Sequence, residues 1–464
     1  MNTPEFYNLL KNFIFEICPI AKKALADRIY FPPAYDKYPK LKFRENGMPD
    51  IDFYGEKPLD ISRVFHAYAG KADVELDEYA TYIQCVEYLS NTSDFDKIIY
   101  FFKKDDDKWN KTCIRIFLIH ILERYYLLNK TEDNNDELLE QIYTRIENAI
   151  FNEILYFDFS IPVLFVNFDF DEYKINDFCT LRRISDDYHK ARIFVTSYSP
   201  PVTPTLISCA THELVLKRWY VKNERGPLKL NTDYEQFYPL DKFDNLIVAI
   251  KTATNINTGY AQLLIYPDDW SAYDRMDLPG ISGMSIKRYP SYFENYYWNE
   301  KELPCVSLEQ AAVIGKIYER LDDCNNKLKI ACKRLRYSCL REDEEDSILD
   351  IIIAMEVLLT DNERGEITHK LSLRLSKLIA LFRTDYNPFD AFSNMKRIYA
   401  YRSKIVHGGR VKSKSKEIKM EEKSVAGSDE VKIANDYLRL LIQILLEHPK
   451  FLDVKEIDKA MITS

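Results

Sequence analysis

No run of eighteen apolar residues, the minimum for a membrane-crossing helix, occurs in this 464-residue chain. The best candidates, "CIRIFLIHILERYYLL" and "ILDIIIAMEVLL", are broken by charge or too short, so a chain outside the membrane is expected. The opening "MNTPEFYNLLKNFIFEICPIAKK" lacks a basic start, a clean apolar run and a small-residue cleavage site, which predicts a cytoplasmic protein. Glycine is scarce, at 12 residues, and neither G-x-x-x-x-G-K-[ST] nor G-x-G-x-x-G occurs, which excludes the usual phosphate-cradling loops. No G-x-S-x-G elbow is present. "HELVL" at 212–216 has no second histidine four residues after His212, so it is not a zinc-protease helix. The 9 cysteines are scattered with no C-x-x-C pair, which suits reduced thiols. Cys324, Cys332 and Cys339 recur at roughly helical spacing, but buried cysteine usually acts as a small hydrophobe; no metal and no cofactor is expected. A formal charge of −9 argues against a surface coated in positive potential, so any nucleic-acid site must be local.

What the chain does have is the composition of a folded globular protein: 46% hydrophobic, 30% charged and 14% aromatic. Its length predicts two or three domains. In 1–152, "VELDEYATYIQCVEYL", "KWNKTCIRIFLIHILERYYLL" and "NDELLEQIYTRIENAIF" carry apolar residues every three or four positions, so this region is predicted mainly helical. From 153 to 304 the pattern becomes mixed α+β. "FDFSIPVLFVNFDF", "FCTLRRIS", "RIFVTSY", "HELVLKRWYV" and "AQLLIY" have strand character, and "DKFDNLIVAIKTAT" reads as a helix between them. From 305 to 464 the chain turns helical again. Helices are predicted at about 307–338, 347–360, 366–383, 388–407 and 428–447, opened by a Ser307/Gln310 capping box, by Ser347, by Asn387-Pro388 and by Ser428-Asp429. The expected fold class is a multidomain α+β chain ending in an antiparallel helical bundle.

Three charges lie on apolar stripes. Arg402 follows Met395 by seven residues, about 20° away around the helix, so its stem leaves from the core-facing side with Phe392, Ile398 and Tyr399. The same counting puts Arg374 with Ile367, Leu371, Leu378 and Leu381, and Glu356 with Leu349, Ile352 and Leu359. A charge removed from water needs a partner, so Glu356 is expected to pair with Arg402, Arg374 or both. Such a triad can also serve only to fix the register of the bundle. His407 falls at the predicted helix end before Gly408-Gly409, where the dipole favours imidazolium; a cationic cap worth about 0.3–1 kcal/mol is its plain structural reading. Five residues at 100° each put Arg402 and His407 about 140° apart, so one regular helix does not aim both at one point. Two copies crossing at this helix about a two-fold axis resolve this, and a functional homodimer is predicted.

"YRSKIVHGG" resembles the R-x(4–6)-H signature of HEPN domains. In order, "DSILDIIIAMEVLL", "GEITHKLSLRLSKLI", "YRSKIVHGG" and "NDYLRLLIQILLEH" resemble the Apea-like HEPN branch over about 305–450. More loosely, "IPVLFVNFDFDEYKINDFCTLRRISD" is similar to the region that precedes the bundle in such proteins. The resemblance implies a metal-independent endoribonuclease of the antiphage or toxin type, a HEPN helical bundle at 305–464 with the homodimer formed through it, and a sensing or regulatory role for 153–304. Control would come from the N-terminal region, where a phage-derived or nucleic-acid trigger would act. It implies Arg402 and His407 as the catalytic pair. Ser403 stands where the family commonly has asparagine, aspartate or histidine, and serine has neither their charge nor their reach. Glu356 and Arg374 match other recurrent polar positions and are supporting residues.

Cleaving RNA without a metal requires the 2′-OH to attack its own phosphodiester, proton transfers at the attacking and leaving oxygens, and a fixed cation for the developing phosphorane charge. A histidine titrating near neutrality and a permanently charged guanidinium meet those needs. Local basic stretches are candidate RNA contacts: Lys333, Arg334 and Arg336 in "KLKIACKRLR", and Lys404, Arg410, Lys412 and Lys414 around the basic linker. Tyr399 and Tyr401 could stack on a base, although packing is the simpler reading among 33 tyrosines. The competing expectation is a non-catalytic HEPN module that binds RNA, a nucleotide or a protein partner.

Overall fold

The computed structural model describes residues 2–27, 38–52, 61–66, 72–94, 98, 106–195, 202–224, 232, 234–271, 274–295, 302–361, 365–406 and 429–463. The chain is a mixed α+β protein. Among the described residues, no helix is long and apolar enough to cross a membrane.

The first layer is helical. Helix α1 (Pro4–Ala26) buries Phe6, Leu10, Phe13, Ile14 and Ile17, the three-and-four spacing of one helix face. A short antiparallel pair, β1 (Lys40–Phe43) and β2 (Pro49–Asp52), follows. Then come α2 (Ala80–Asn91), α3 (Asp107–Leu128) and α4 (Asp136–Phe151). Leu89, Leu118, Leu122 and Tyr143 close a core against α1. Glu147, only 1% exposed, accepts hydrogen bonds from the backbone nitrogens of Asn2 and Thr3 at 2.7 and 2.6 Å. That satisfies donors that α1 leaves without intrahelical partners.

The middle of the chain supplies a six-stranded antiparallel sheet. Its strands are β3 (Ile154–Val163), β5 (Glu172–Asn176), β6 (Cys179–Arg183), β7 (His212–Lys222), β8 (Tyr260–Pro267) and β9 (Ser282–Arg288), in the spatial order β5-β6-β7-β3-β8-β9. A two-residue β4 (Asn167–Phe168) pairs in parallel with β10 (Cys305–Val306). The helices in this stretch are α5 (Asp186–Arg192), α6 (Pro204–Ser208) and α7 (Leu240–Thr254). One sheet face is apolar: Phe157, Phe159, Leu214, Leu263 and Ile265 pack on Phe243, Leu246 and Ile250 of α7. The other face carries Ser160, Arg182, Glu213, Gln262 and Tyr266, largely buried. The expected strand "RIFVTSY" is corrected at its start, because Arg192 ends α5 and Ile193 caps it; residues 196–200 lie outside the described set.

The last third is a set of packed helices: α8 (Leu308–Asp322), α9 (Asn326–Leu340), α10 (Glu344–Leu359), α11 (Ile367–Phe382), α12 (Pro388–Val406), α13 (Asp429–Glu447) and α14 (Val454–Ile462). The Ser307/Gln310 capping box is present. The single helix expected over 307–338 is instead two, because Asn325 accepts a hydrogen bond from the Lys327 backbone nitrogen at 2.8 Å and starts a new helix. Ser347 does not open α10. Asp343 caps it, and Ser347 lies inside the helix with its hydroxyl on the Ser338 carbonyl at 3.0 Å. Hydrophobic packing runs without a break from the sheet through α7 and α8 into these helices.

Candidate functional site

Asn387 caps α12 through its side-chain oxygen, which accepts from the Phe389 backbone nitrogen at 2.9 Å, and Pro388 takes the first helical position. The helix buries Ala391, Met395 and Ile398, and that stripe carries the half-buried Arg402 on the same side. The Arg402 guanidinium lies 5.6 Å from the centre of the Tyr399 ring, within cation–π range. Its Nε is shielded from solvent and has no hydrogen-bond partner among the described residues. Leaving a buried donor unsatisfied costs about 1–3 kcal/mol, a cost that an added acceptor removes.

Tyr399 donates its hydroxyl proton to Glu356 Oε1 at 3.1 Å. Burial, and then the Glu356 carboxylate, raise the Tyr399 pKa above the ordinary phenol value, while Arg402 pulls it down. The expected direct pairing of Glu356 with an arginine is therefore corrected: among the described residues, Glu356 meets a phenol, and that phenol faces Arg402.

Arg374 has other partners. Its Nε and Nη2 reach the two carboxylate oxygens of Asp458 at 2.8 and 2.7 Å, Nη2 also meets Asp361 at 3.0 Å, and Nη1 donates to the Leu359 carbonyl at 2.8 Å. The side chain is 5% exposed, and the Asp458 hydrogen bonds lead in raising its pKa. This guanidinium fastens α11 to the end of α10 and to α14. Neither Asp458 nor Asp361 was singled out from the sequence: Asp458 lies on α14, beyond the last predicted helix, and Asp361 lies just past the end of α10.

Ser403 is half-buried, and Lys404 is exposed. Tyr401 packs against the core, as does Tyr399. His407, Arg410, Lys412 and Lys414 lie outside the described residues, as does Ser428. The three basic candidates on α9 separate. Arg334 Nη1 and Arg341 Nε hold the two oxygens of the buried Asp350 at 2.5 and 2.9 Å, so Arg334 serves an internal ion pair. Arg336 is 8% exposed and reaches Asp244 Oδ2 at 3.2 Å. Lys333 is exposed, with its ammonium 5.6 Å from the centre of the Tyr337 ring.

A second polar cluster, which sequence reasoning missed, lies on the far face of the sheet. Glu213, 1% exposed, accepts from Ser160 Oγ at 2.7 Å, from Arg182 Nε at 2.8 Å and from the Tyr266 hydroxyl. Nearby, the fully buried Arg192 donates to the carbonyls of Ile207 and Ser208 and to Gln262 Oε1. The signal was present in the strand alternation, where arginine, glutamate and tyrosine occupy positions of one face. Among the described residues, no group of three or more His, Cys, Asp or Glu side chains is placed to hold a metal ion. No family model matches the chain, and no curated protein or solved structure is significantly similar to it.

Proposed function

We propose that the chain is a metal-independent endoribonuclease of the HEPN type, acting in the cytoplasm as an antiphage or toxin effector under the control of its N-terminal region. The observation that carries the reading is the Arg402 side chain. It leaves α12 from the core-facing side, lies over the Tyr399 ring, and among the described residues keeps one donor without an acceptor, five residues before His407. A permanently charged planar group with a spare donor suits a phosphodiester oxygen, because turning the guanidinium toward it satisfies Nε and neutralises developing negative charge.

In this reading His407 moves the protons. The ribose 2′-OH loses its proton as it attacks the adjacent phosphorus, the phosphorane charge falls on Arg402, and the departing 5′ oxygen takes up a proton. The products are a 2′,3′-cyclic phosphate and a 5′-hydroxyl, and DNA, which lacks the 2′-OH, is spared. Tyr399 and Glu356 act as positioning residues: the phenol anchors to the carboxylate and offers its ring face to the guanidinium. A homodimer formed through this helix would bring both residue types of two protomers into one cleft.

The test is cleavage of single-stranded RNA by the full chain in chelator, against Arg402→Ala and His407→Ala. Loss of cutting in both variants, with near-UV circular dichroism unchanged, supports the reading. Undiminished cutting in both removes the assignment. Retained RNA binding in His407→Ala, with no cleavage by the wild type under any trigger, favours a non-catalytic binding module.

A further inference from the structure

A cleft of about 410 Å³ opens where the sheet layer meets the helical third, between α7, the end of α8, and α9, with Arg288 of β9 in its wall. That volume falls in the range of small-molecule sites. Its lining is charged and unbalanced. Five cations, Lys242, Arg288, Lys329, Lys333 and Arg336, face three carboxylates. Two of the three, Asp244 and Asp322, are already paired with cations of the lining.

The pairing inside the cleft shows where the surplus lies. Asp244 accepts from the Tyr260 hydroxyl at 2.9 Å and from Arg288 Nη1 at 2.9 Å, and the same Oδ2 also meets Arg336 Nη2 at 3.2 Å. Asp244 thus serves two guanidinium groups, of which Arg288 also meets Glu235 at 3.2 Å. Asp322 is taken by Lys242 at 2.7 Å. Among the described residues, no carboxylate lies within ion-pair distance of Lys329 or Lys333, which stand exposed on α9 one turn apart. Arg336 is nine-tenths buried, and the one carboxylate it meets among the described residues is shared with Arg288. Between them Tyr337 presents a half-buried ring, with Arg336 at 4.7 Å and Lys333 at 5.6 Å from its centre.

We propose that this cleft binds a small phosphorylated molecule carrying a planar ring, of the nucleoside diphosphate class. Lys329, Lys333 and Arg336 take the phosphates, and Tyr337 takes the ring. Two lysines without a carboxylate partner among the described residues, beside a buried guanidinium that shares its own, raise the local potential for an anion, and ring-on-ring contact supplies an interaction that inorganic phosphate cannot make. The walls come from α7 and β9 of the sheet layer and from α9 of the helical third, so the occupant bridges the two. The concave, partly enclosed shape favours a small molecule over an extended strand of RNA, whose phosphates would share the same cations. The proposal is independent of the catalytic reading.

The experiment is isothermal titration calorimetry of the full chain with ADP and with inorganic pyrophosphate, alongside anisotropy with a short labelled single-stranded RNA. Both small probes are expected to bind in a saturable way, with ADP the tighter. Lys329→Glu/Lys333→Glu should weaken both at least tenfold, about 1.4 kcal/mol in binding. Both lysines are exposed, so near-UV circular dichroism should stay unchanged, and the Lys329→Gln/Lys333→Gln pair separates loss of charge from repulsion. Tyr337→Ala should remove the advantage of ADP over pyrophosphate. His407→Ala should leave both affinities as they are, which keeps this outcome separate from that of the nuclease test. No saturable binding of either probe up to about 1 mM, affinities untouched by the charge reversal, or RNA binding that depends on these lysines without ADP binding would each overturn the proposal.

Discussion

Tyr399 on α12 and Glu356 on α10 are joined by a 3.1 Å hydrogen bond from the phenol to the carboxylate, and the Arg402 guanidinium sits 5.6 Å from the centre of the same tyrosine ring. The phenol therefore separates two opposite charges that side-chain counting alone would have brought together. Tyr399→Phe keeps the ring beneath Arg402 and deletes only the donor. The expected cost is about 0.5–1.5 kcal/mol, read by urea unfolding. Glu356→Gln should cost a similar amount, and the double variant should cost less than the sum, because both changes break one bond. Strict additivity would show that the two side chains are not coupled.

Arg374 gives a sharper prediction. The buried guanidinium is the shared partner of Asp458, Asp361 and the Leu359 carbonyl. Arg374→Ala leaves Asp458 and the Leu359 carbonyl without this donor, while Asp361 keeps Lys370 at 3.4 Å, and with Asp458 partly exposed to water the change should cost about 1–3 kcal/mol. The variant should also loosen α14, seen as new proteolytic cleavage near 448–454. Arg374→Lys retains charge but cannot fork between two acids, so it should fall between wild type and alanine. A wild-type proteolysis pattern in Arg374→Ala would show that α14 is held by its apolar face alone.

Two buried histidines set a pH dependence. Burial, reinforced by Arg192, pulls His189 from its ordinary value of 6.5 down to about 2, and burial brings His212 down to about 4. His189 Nδ1 lies 3.2 Å from Arg192 Nη2, which can only donate, so the ring accepts there and is neutral. In the unfolded chain both rings take up a proton near 6.5, whereas the folded chain holds them neutral. Their contribution is thus complete above 6.5 and is lost as pH falls, by about 1.4 kcal/mol per pH unit per ring. The loss should stop near pH 4 for His212 and continue lower for His189. Unfolding free energy measured between pH 7 and pH 4 should fall more steeply in wild type than in His189→Gln. Parallel slopes would mean that His189 is protonated in the folded protein.

How much of this could be read from the sequence depended on the range of the interaction involved. The Ser307/Gln310 capping box and the Asn387-Pro388 helix start are local hydrogen-bond patterns, and both are present. The break at 323–325 contains no glycine or proline, so the helical period ran straight through it. Strand β9, with Gly283 as its second residue, is absent from the predicted strands. The Gly283 φ of +148° and the 2.1 Å that would separate an added Cβ from the Leu263 carbonyl oxygen show a close approach of neighbouring strands. Arg374 was correctly placed on an apolar stripe. Its acidic partners sit 84 and 13 positions away, on elements that only tertiary packing brings together. Glu356 was misassigned for the complementary reason: stripe counting finds charges, and a tyrosine hydroxyl is not a charge.

Arg402→Lys separates geometry from charge at the proposed nuclease site. The guanidinium is flat, lies over the Tyr399 ring and has an Nε donor with no acceptor among the described residues, whereas an ammonium keeps the positive charge without the plane or the fork. If catalysis needs only a cation near the phosphate, lysine should retain most of the RNA cleavage rate. If the orientation set by Tyr399 matters, the rate should drop at least tenfold, equivalent to about 1.4 kcal/mol of transition-state stabilisation, and alanine should lose more. Tyr399→Leu, which removes the stacking face and leaves Arg402 intact, should then lower the maximal rate without weakening RNA binding in proportion. Full activity in Arg402→Lys would reduce the role of Arg402 to bulk electrostatics, and full activity in Tyr399→Leu would leave the stacked geometry without a part in the reaction.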